Sequence, residues 1–539
     1  MNYKNKKVLD CTLRDGGYHT NWEFDDNLVQ EIILALDKSD VDYIELGYKS
    51  PLPGGRFKRC DDKFISTLLK DIDYNVQLAF MIDVKDFIEN DKVNVNLLLG
   101  MIQIKSKSPF SLCRIATNYE TLDQTLELAE IISEAGYQTT VNLMKVSALN
   151  KEQVKDSLKK LGKSNVDMIY VADSLGSINE EKLKELLNLF RKTCIVNDKL
   201  LGFHPHNNLG LAFSNTIKAV ELGVDIVDGT ITGMGRGAGN LRIEQYLMFI
   251  KRTTNDLLDL IQRRFTLLKQ KYTWGWSSNY MYTGMNEIHP THASVSIIIP
   301  ARYKSSRFPG KPIVDINGTP MVIRVADIAS KVVPKENIYI ATDDDSIAKV
   351  VDNYDYKVIL TSDSCLTGTD RVCEAAKEID SNIIVNIQGD EPLLDPNDIR
   401  KVIDEKLKYM DSVINCMSRL NSTEASNRNI PKVVANFNNG LVYISRSGIP
   451  GTKYGHSKKL YKQVCIYAFT KDELDKFYQY GLKNGKSPLE WTEDIEILRF
   501  VELGIKVKMI EVYGNTHAVD IPEDVKIVEE ILNERGGYD

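Results

Sequence analysis

The first 235 residues repeat one unit, and this repetition narrows the possible folds more than any other feature of the chain. A short β-rich run ends in polar residues, and an amphipathic stretch follows. The runs are VLDCTLRD (8–15), YIELGY (43–48), VQLAFMID (76–83), FSLCRIAT (110–117), QTTVNLMKVS (138–147), MIYVADS (168–174), LLGFHPH (200–206) and DIVDGTIT (225–232). Helical patterns such as DNLVQEIILALDKS (26–39) and TLDQTLELAEIISEAG (121–136) lie between them. Strands alternating with helices predict a parallel sheet, and eight units predict a closed (β/α)8 barrel. The helix of the third unit is the least clearly patterned.

After residue 245 the rhythm stops. A helical stretch (244–272) leads into an aromatic, turn-rich segment, WGWSSNYMYTGMNEIHPTH (274–292), and SVSIIIPARY (294–303) opens a second α/β pattern. Further strand candidates are NIYIATD (337–343), YKVILTS (356–362), IIVNIQGD (383–390) and SVINCMS (412–418). These predict an open, doubly wound α/β sheet with a site at its strand ends. The expected domains are 1–290 and 291–539, with no Gly/Ser-rich or Pro-rich linker between them.

Composition excludes several classes. Of 539 residues, 43% are hydrophobic and 27% charged, which rules out a disordered chain. A net charge of −7 argues against a nucleic-acid partner. No apolar run reaches the roughly 18 residues a bilayer span needs. The start, MNYKNKKVLDCTLRDGG, lacks the apolar core of a signal peptide, so a cytoplasmic protein without a membrane partner is expected. The eight cysteines include no CxxC pair and read as single thiols.

In such barrels the chemistry lies at the C-terminal ends of the strands. Strand one ends in Arg14-Asp15, strand two in Glu45, strand three in Asp83 and strand six in Asp173; strand seven carries His204 and His206. Residues i and i+2 of a strand face one side, so the two imidazoles converge. With Asp15, two strands away across strand eight, they suit a divalent metal with open coordination positions. Glu45, Asp83 and Asp173 read equally well as catalytic groups or as hydrogen-bonding residues of the barrel mouth. The string GMGRGAGN (233–240) reads as a turn or as a phosphate loop, and Asn240 at its end offers an oxygen ligand.

TLRDGG (12–17), HPHNNLG (204–210) and GRGAGN (235–240), in this order on eight strands, resemble the DRE-TIM metallolyases. That family includes 4-hydroxy-2-oxovalerate aldolase, hydroxymethylglutaryl-CoA lyase and isopropylmalate synthase. The resemblance covers about residues 5–290. It implies a divalent cation, Mn²⁺ or Mg²⁺, held by Asp15, His204 and His206 with Asn240 as a fourth ligand, and an enolate oxygen stabilised by Arg14. Pyruvate aldolases of the family read RDG-x-H, with that His as general base. RDGGYH here puts Tyr18 in that register and His19 one residue on, so the base assignment stays open between them.

IIIPARYKSSRFPGKP (297–312) is a cation-rich loop directly after a strand, suited to wrapping a triphosphate. GDEP (389–392) and VDIPED (519–524) offer paired carboxylates suited to Mg²⁺. With TGTDR (367–371), YISRSGIP (443–450) and SPLEWTEDIEILR (487–499), these segments resemble the CMP-3-deoxy-manno-octulosonate (CMP-KDO) synthetases over about residues 294–535. The resemblance implies a nucleotidyltransferase in which CTP reacts with the anomeric hydroxyl of a 2-keto-3-deoxy sugar acid. Arg302 and Lys311 would hold the triphosphate. Thr369, Arg371 and Gln388 would line the nucleotide, and Asp390 and Asp520 would bind Mg²⁺. The sugar end departs from the family: Gln463 and Cys465 stand in QVCIY where the family has H-x-G-I-Y, and Ile497 replaces a Gln. A different, less hydroxylated keto acid is therefore expected.

Together the halves predict a bifunctional enzyme for surface polysaccharide, capsule or lipopolysaccharide. The barrel condenses pyruvate with an aldehyde, and the second domain activates the product with CTP. A homodimer is the expected assembly. Two other readings stand beside this: a barrel acting on another acid such as an acyl-CoA, and a catalytically idle barrel serving as a dimerisation scaffold.

Overall fold

The computed structural model describes residues 3–304, 308–420, 424–451, 453, 460–514 and 517–535. Part of the cation-rich loop, Ser305 to Arg307, lies outside the described residues. The chain divides into two compact units, Met1–Thr291 and His292–Asp539.

The first unit is a closed parallel barrel. Its strands are β1 (Lys7–Asp10), β2 (Tyr43–Tyr48), β3 (Gln77–Asp83), β4 (Leu112–Thr117), β5 (Gln138–Leu143), β6 (Met168–Asp173), β7 (Leu200–Pro205) and β8 (Ile226–Gly229). They neighbour one another in sequence order, and β8 closes on β1. Period-two alternation sorts the side chains. Ile44 and Leu46 of β2 and Cys113 and Ile115 of β4 pack outward against the helices. Tyr43, Leu112, Met168 and Tyr170 turn inward as an apolar plug, and above it Glu45, Arg114 and Asp228 form a buried charged layer. Helix α1 (Asp26–Lys38) shows how the outer ring forms. Asp25 accepts the Leu28 N–H at 3.0 Å, and Leu28, Val29, Ile32, Ile33 and Leu36 bury one face. Such a cap contributes about 1 kcal/mol. The weakly patterned third unit carries a helix of only five residues, Val95–Leu99.

Arg14 and Asp15 do not sit on a strand. The chain turns after Asp10, whose carboxylate accepts both the N–H and the hydroxyl of Thr12, at 3.0 and 2.7 Å. Thr12–Asp15 is a helical turn that carries both side chains over the barrel mouth. The stretch 244–272 is broken into short helices joined by a π-helical turn. The aromatic segment then forms α2 (Ser278–Met285), which caps the barrel mouth. There the Asn208 amide donates to the Tyr280 carbonyl and the Thr283 hydroxyl, both at 3.2 Å.

The second unit is built on an open mixed sheet: β9 (Val295–Ala301), β10 (Ile338–Thr342), β11 (Lys357–Leu360), β12 (Ile383–Ile387), β13 (Val413–Arg419), β14 (Lys432–Ala435), β15 (Leu441–Ser445), β16 (Tyr461–Thr470) and β17 (Val507–Glu511). Its order is β11-β10-β9-β12-β16-β13-β17, with the β14–β15 hairpin attached to β16. β16 runs antiparallel to both β12 and β13, and the other pairs along the main order are parallel. The unbroken apolar run of β9 reflects burial on both faces: Val295, Ile297 and Ile299 enter one core layer and Ile298 the other. Among the described residues, no helix is long and apolar enough to cross a membrane.

Candidate active sites

At the barrel mouth Asp15, His204 and His206 meet. His204 Nε2 and His206 Nε2 lie 3.8 and 3.9 Å from Asp15 Oδ2, and all three residues are buried. Burial pushes the Asp15 carboxyl up, yet the Arg14 guanidinium, the two imidazoles and Arg236 together hold it well below the usual carboxylate range. Burial also keeps the His206 imidazole well below its ordinary value, and therefore neutral. One anionic oxygen and two imidazole nitrogens are the donors a divalent cation needs. Two buried polar atoms beside them have no partner, His206 Nδ1 and Asn240 Oδ1. Asn240 turns its amide nitrogen to Asp15 Oδ2. Exchanging the amide's O and N would aim the oxygen at the same spot. These residues fit a cation.

The GMGRGAGN string is a turn. Gly239 has φ 78°, and a Cβ there would meet the Gly233 carbonyl oxygen at 1.9 Å. The loop is tied to the end of β7 by Asn207 N–H to Gly239 O at 2.8 Å, which brings Asn240 beside His206.

Behind the trio runs a ring of buried charges. Arg14 Nη1 donates to Asp15 Oδ1 and its Nε to Glu45 Oε2, each at 2.8 Å. Arg114 joins Glu45, at 3.0 Å, to Asp228. Asp228 in turn accepts from His204 Nδ1 at 2.9 Å. Burial opposes charge on Asp228, but Arg114 and His204 hold its carboxyl below the ordinary value. A carboxylate behind a ligand histidine fixes its tautomer and aims the other nitrogen outward.

His19 Nε2 donates to the Gly235 carbonyl at 2.8 Å, which leaves Nδ1 as the basic nitrogen. Tyr18 is 43% exposed, and its hydroxyl lies 3.3 Å from that of buried Tyr48. Burial raises the Tyr48 phenol well above its usual value, so it stays protonated. The other two strand-end acids hold loops in place. Asp83 accepts the Lys85 N–H at 3.1 Å, and Asp173 accepts the N–H groups of Ser177 and Ile178 at 2.9 and 3.3 Å.

In the second unit a cavity of about 320 Å³ opens at the ends of β9 and β12. Arg302, Lys311, Arg371, Gln388, Asp390 and Asp520 line it. Lys311 Nζ lies 2.7 Å from Asp390 Oδ2 and 3.7 Å from Asp520 Oδ1, so both carboxylates converge on one point. Two partly exposed carboxylates with open positions suit Mg²⁺, which keeps several waters and takes phosphate oxygens. Arg371 also pairs with Asp343 at 3.3 Å and donates to Thr361.

Thr369 does not line this cavity. It is buried, and Glu496 accepts the N–H groups of Gly368 and Thr369, both at 3.0 Å, at the start of α3 (Gly368–Ala376). Thr367 and Gly368 take the lining positions. The sugar-pocket residues do not line it either. Ile497 is 1% exposed within an apolar core, because it sits on the inner face of a short helix, α4 (Ile497–Glu502). Gln463 donates to Asn415 and Tyr467 at 3.0 and 3.2 Å. The Cys465 thiol is pushed up to about 12 by burial and then by the nearby Glu391. The 487–499 motif braces the site from behind, with buried Arg499 bridging Asp370 and Glu490 at 2.7 and 2.6 Å.

Sequence reading missed Arg114, Asp228, Tyr48 and Glu496. All four lie in quoted segments, Glu496 in a family motif and the others in strand runs, but each is a single residue whose partners come from distant parts of the chain, so its own segment does not mark it.

Two family descriptions match the chain: HMGL-like over residues 5–267 and cytidylyltransferase over residues 296–508. The 8-amino-3,8-dideoxy-manno-octulosonate cytidylyltransferase of Shewanella baltica is 37% identical over 245 residues, 44% of this chain and 98% of that protein. The 3-deoxy-manno-octulosonate cytidylyltransferase 2 of Hydrogenovibrio crunogenus is 36% identical over 246 residues, 44% of this chain and 97% of that protein. The solved N-terminal domain of a candidate aldolase from Bacteroides vulgatus is 34% identical, with TM-score 0.47, and covers 53% of this chain and 94% of its own. Through its second unit the chain belongs to the cytidylyltransferase family, and it carries an HMGL-like, lyase/aldolase-type barrel on the N-terminal side of that unit.

Proposed function

We propose that the chain is a bifunctional enzyme. The barrel condenses pyruvate with an aldehyde to a 4-hydroxy-2-oxo acid, and the second unit joins that acid to CMP with release of pyrophosphate. The observation that carries this reading is the convergence of Asp15, His204 and His206 beside Arg14, in a chain that also holds the Lys311–Asp390–Asp520 cluster.

Asp15, His204, His206 and the Asn240 oxygen would hold a divalent cation, which would supply a Lewis acid to the 2-oxo group. Arg14 Nη2, which makes no hydrogen bond among the described residues, would stabilise charge developing on the same oxygen. His19 Nδ1 takes a proton from the pyruvate methyl group. The carbanion then forms a C–C bond to the aldehyde carbon, and the new alkoxide takes up a proton. Asp228 holds His204 in one tautomer throughout.

In the second unit, Arg302 and Lys311 hold the triphosphate, and Arg371 and Gln388 line the nucleotide. Asp390 and Asp520 hold Mg²⁺. The anomeric hydroxyl of the cyclised keto acid attacks the α-phosphorus, and pyrophosphate leaves. The relatives named for 3-deoxy-octulosonates support a 2-keto-3-deoxy acid as acceptor, and the role proposed for the product is in surface polysaccharide. Aldol addition is reversible, so consumption by CTP pulls it forward. Each unit is proposed to fold as its own domain. The test is mass spectrometry of the chain with pyruvate, CTP, Mg²⁺ and a panel of hydroxyaldehydes: a CMP-linked product containing the pyruvate carbons supports the reading, and consumption of CTP only with supplied keto acid contradicts the barrel half.

A further inference from the structure

Two cations at the barrel mouth, Lys58 and Arg236, form no ion pair among the described residues. Arg14 and Arg114 differ sharply from them, since each is matched by two carboxylates. Arg236 donates once, from Nη2 to the Ser174 carbonyl at 3.3 Å, and its Nε is buried with no partner. It comes from the glycine turn that also carries Asn240, close enough for its charge to act on Asp15 and His206. Lys58 comes from the short helix Arg56–Arg59 that follows β2.

Both rest on one aromatic cluster. Lys58 Nζ lies 4.3 Å from the Trp22 ring and 4.4 Å from that of Tyr48. The Arg236 guanidinium lies 5.6 Å from the Tyr18 ring, and Tyr18 meets Trp22 edge-on at 4.8 Å and Tyr48 through their hydroxyls at 3.3 Å. Lys58 acts on Asp83 and Arg236 on Asp15 only at a distance, and cations without a contacting carboxylate beside an aromatic wall suit a ligand with an uncharged body and an anionic end. Pyruvate does not fit this description. In pyruvate the carboxylate adjoins the reacting carbonyl, with no uncharged body between them.

We propose that Lys58 and Arg236 form an anion subsite for the second substrate, so that the aldehyde accepted by the barrel carries a carboxylate or phosphate away from its reacting carbon. This rests on the aldolase reading above. Arg236 supplies the directional fork and Lys58 a point charge. The aromatic rings cover the carbons between.

The test compares aldehydes of equal length that end in a hydroxyl, a carboxylate or a phosphate, using the full chain loaded with its cation. At least a tenfold higher kcat/KM is expected for one of the anionic forms, and which one identifies the group. In a Lys58→Met, Arg236→Met double variant that preference disappears, mainly through a raised aldehyde KM. In Lys58→Met alone, the pyruvate KM and the exchange of pyruvate methyl protons with deuterium stay within about twofold. Equal turnover of neutral and anionic aldehydes overturns the proposal, and so does a variant that raises the pyruvate KM instead. If wild type shows no pyruvate exchange, the aldolase reading fails separately. The subsite is then judged by calorimetric titration of a phosphate-ended aldehyde with CTP saturating the second unit. Tenfold weaker binding to the double variant sustains the subsite, and equal binding removes it.

Discussion

Asp228 of β8 accepts a hydrogen bond from His204 Nδ1 of β7 at 2.9 Å on Oδ2, the same oxygen that Arg114 of β4 holds. The orientation of His204 Nε2 toward Asp15 is thus set by a residue behind the proposed cation site. Asp228→Asn should weaken divalent-cation affinity about tenfold to a hundredfold. Chelator competition measures this directly. Unchanged affinity, with the fold intact by circular dichroism, would remove Asp228 from the positioning role.

Asp173 gives a pH signature. Burial raises its carboxyl from 3.8 to about 7, against the pull of three backbone N–H groups. The folded chain therefore holds a proton there that the unfolded chain has lost. Stability from that proton is complete below about pH 4 and fades as pH rises through 7. Asp173→Asn should flatten that part of the curve. The check is thermal unfolding of the cation-free chain between pH 5 and 8, wild type against variant. A steeper slope in the variant would contradict the sign.

Arg499 is buried between Asp370 and Glu490. Removing one partner of such a cluster leaves uncompensated buried charge and costs about 3–5 kcal/mol. Arg499→Met should lower the urea midpoint of the second unit accordingly. A change under about 1 kcal/mol would show that the two acids find protons or water instead.

His292 packs in the second unit, its ring against the Val332 carbonyl at 3.3 Å and Asp404 at 3.1 Å. A fragment beginning at residue 292 should therefore fold and release pyrophosphate from CTP with a suitable keto acid. Asp390→Asn in that fragment should slow release by about a hundredfold, in line with the charge stabilisation such groups supply. Preference for UTP or ATP over CTP would count against the nucleotide assignment.

The barrel was legible because its signal is local and repeated. Period-two strands and amphipathic helices alternate eight times, and His204 and His206 announce themselves by spacing. The turn carrying Arg14 and Asp15 was read as strand because TLRD sits within an apolar run; the Asp10–Thr12 hydrogen bonds that break the strand leave no periodic trace. The charged ring joins Arg14 of the helical turn after β1 to residues of β2, β4, β7 and β8, so its members look isolated in sequence. In the second unit, Ile497 and Thr369 stand in recognisable motifs, but those motifs mix cavity residues with the buried parts that support them. The strand β16 escaped notice because its alternation is lost where Ile466, Tyr467, Ala468 and Phe469 are buried on both faces.

The central claim is that one chain makes a keto acid in its barrel and activates it in its second unit. The most direct measurement follows ¹³C from labelled pyruvate into a CMP-linked product in wild type and in two variants. Wild type should incorporate label with an accepted aldehyde, CTP and Mg²⁺. His204→Ala should abolish incorporation while still forming the CMP conjugate from supplied keto acid, and Asp390→Asn should block both. Full incorporation by His204→Ala, or no labelled conjugate from wild type with any aldehyde while supplied keto acid is activated, would contradict the account.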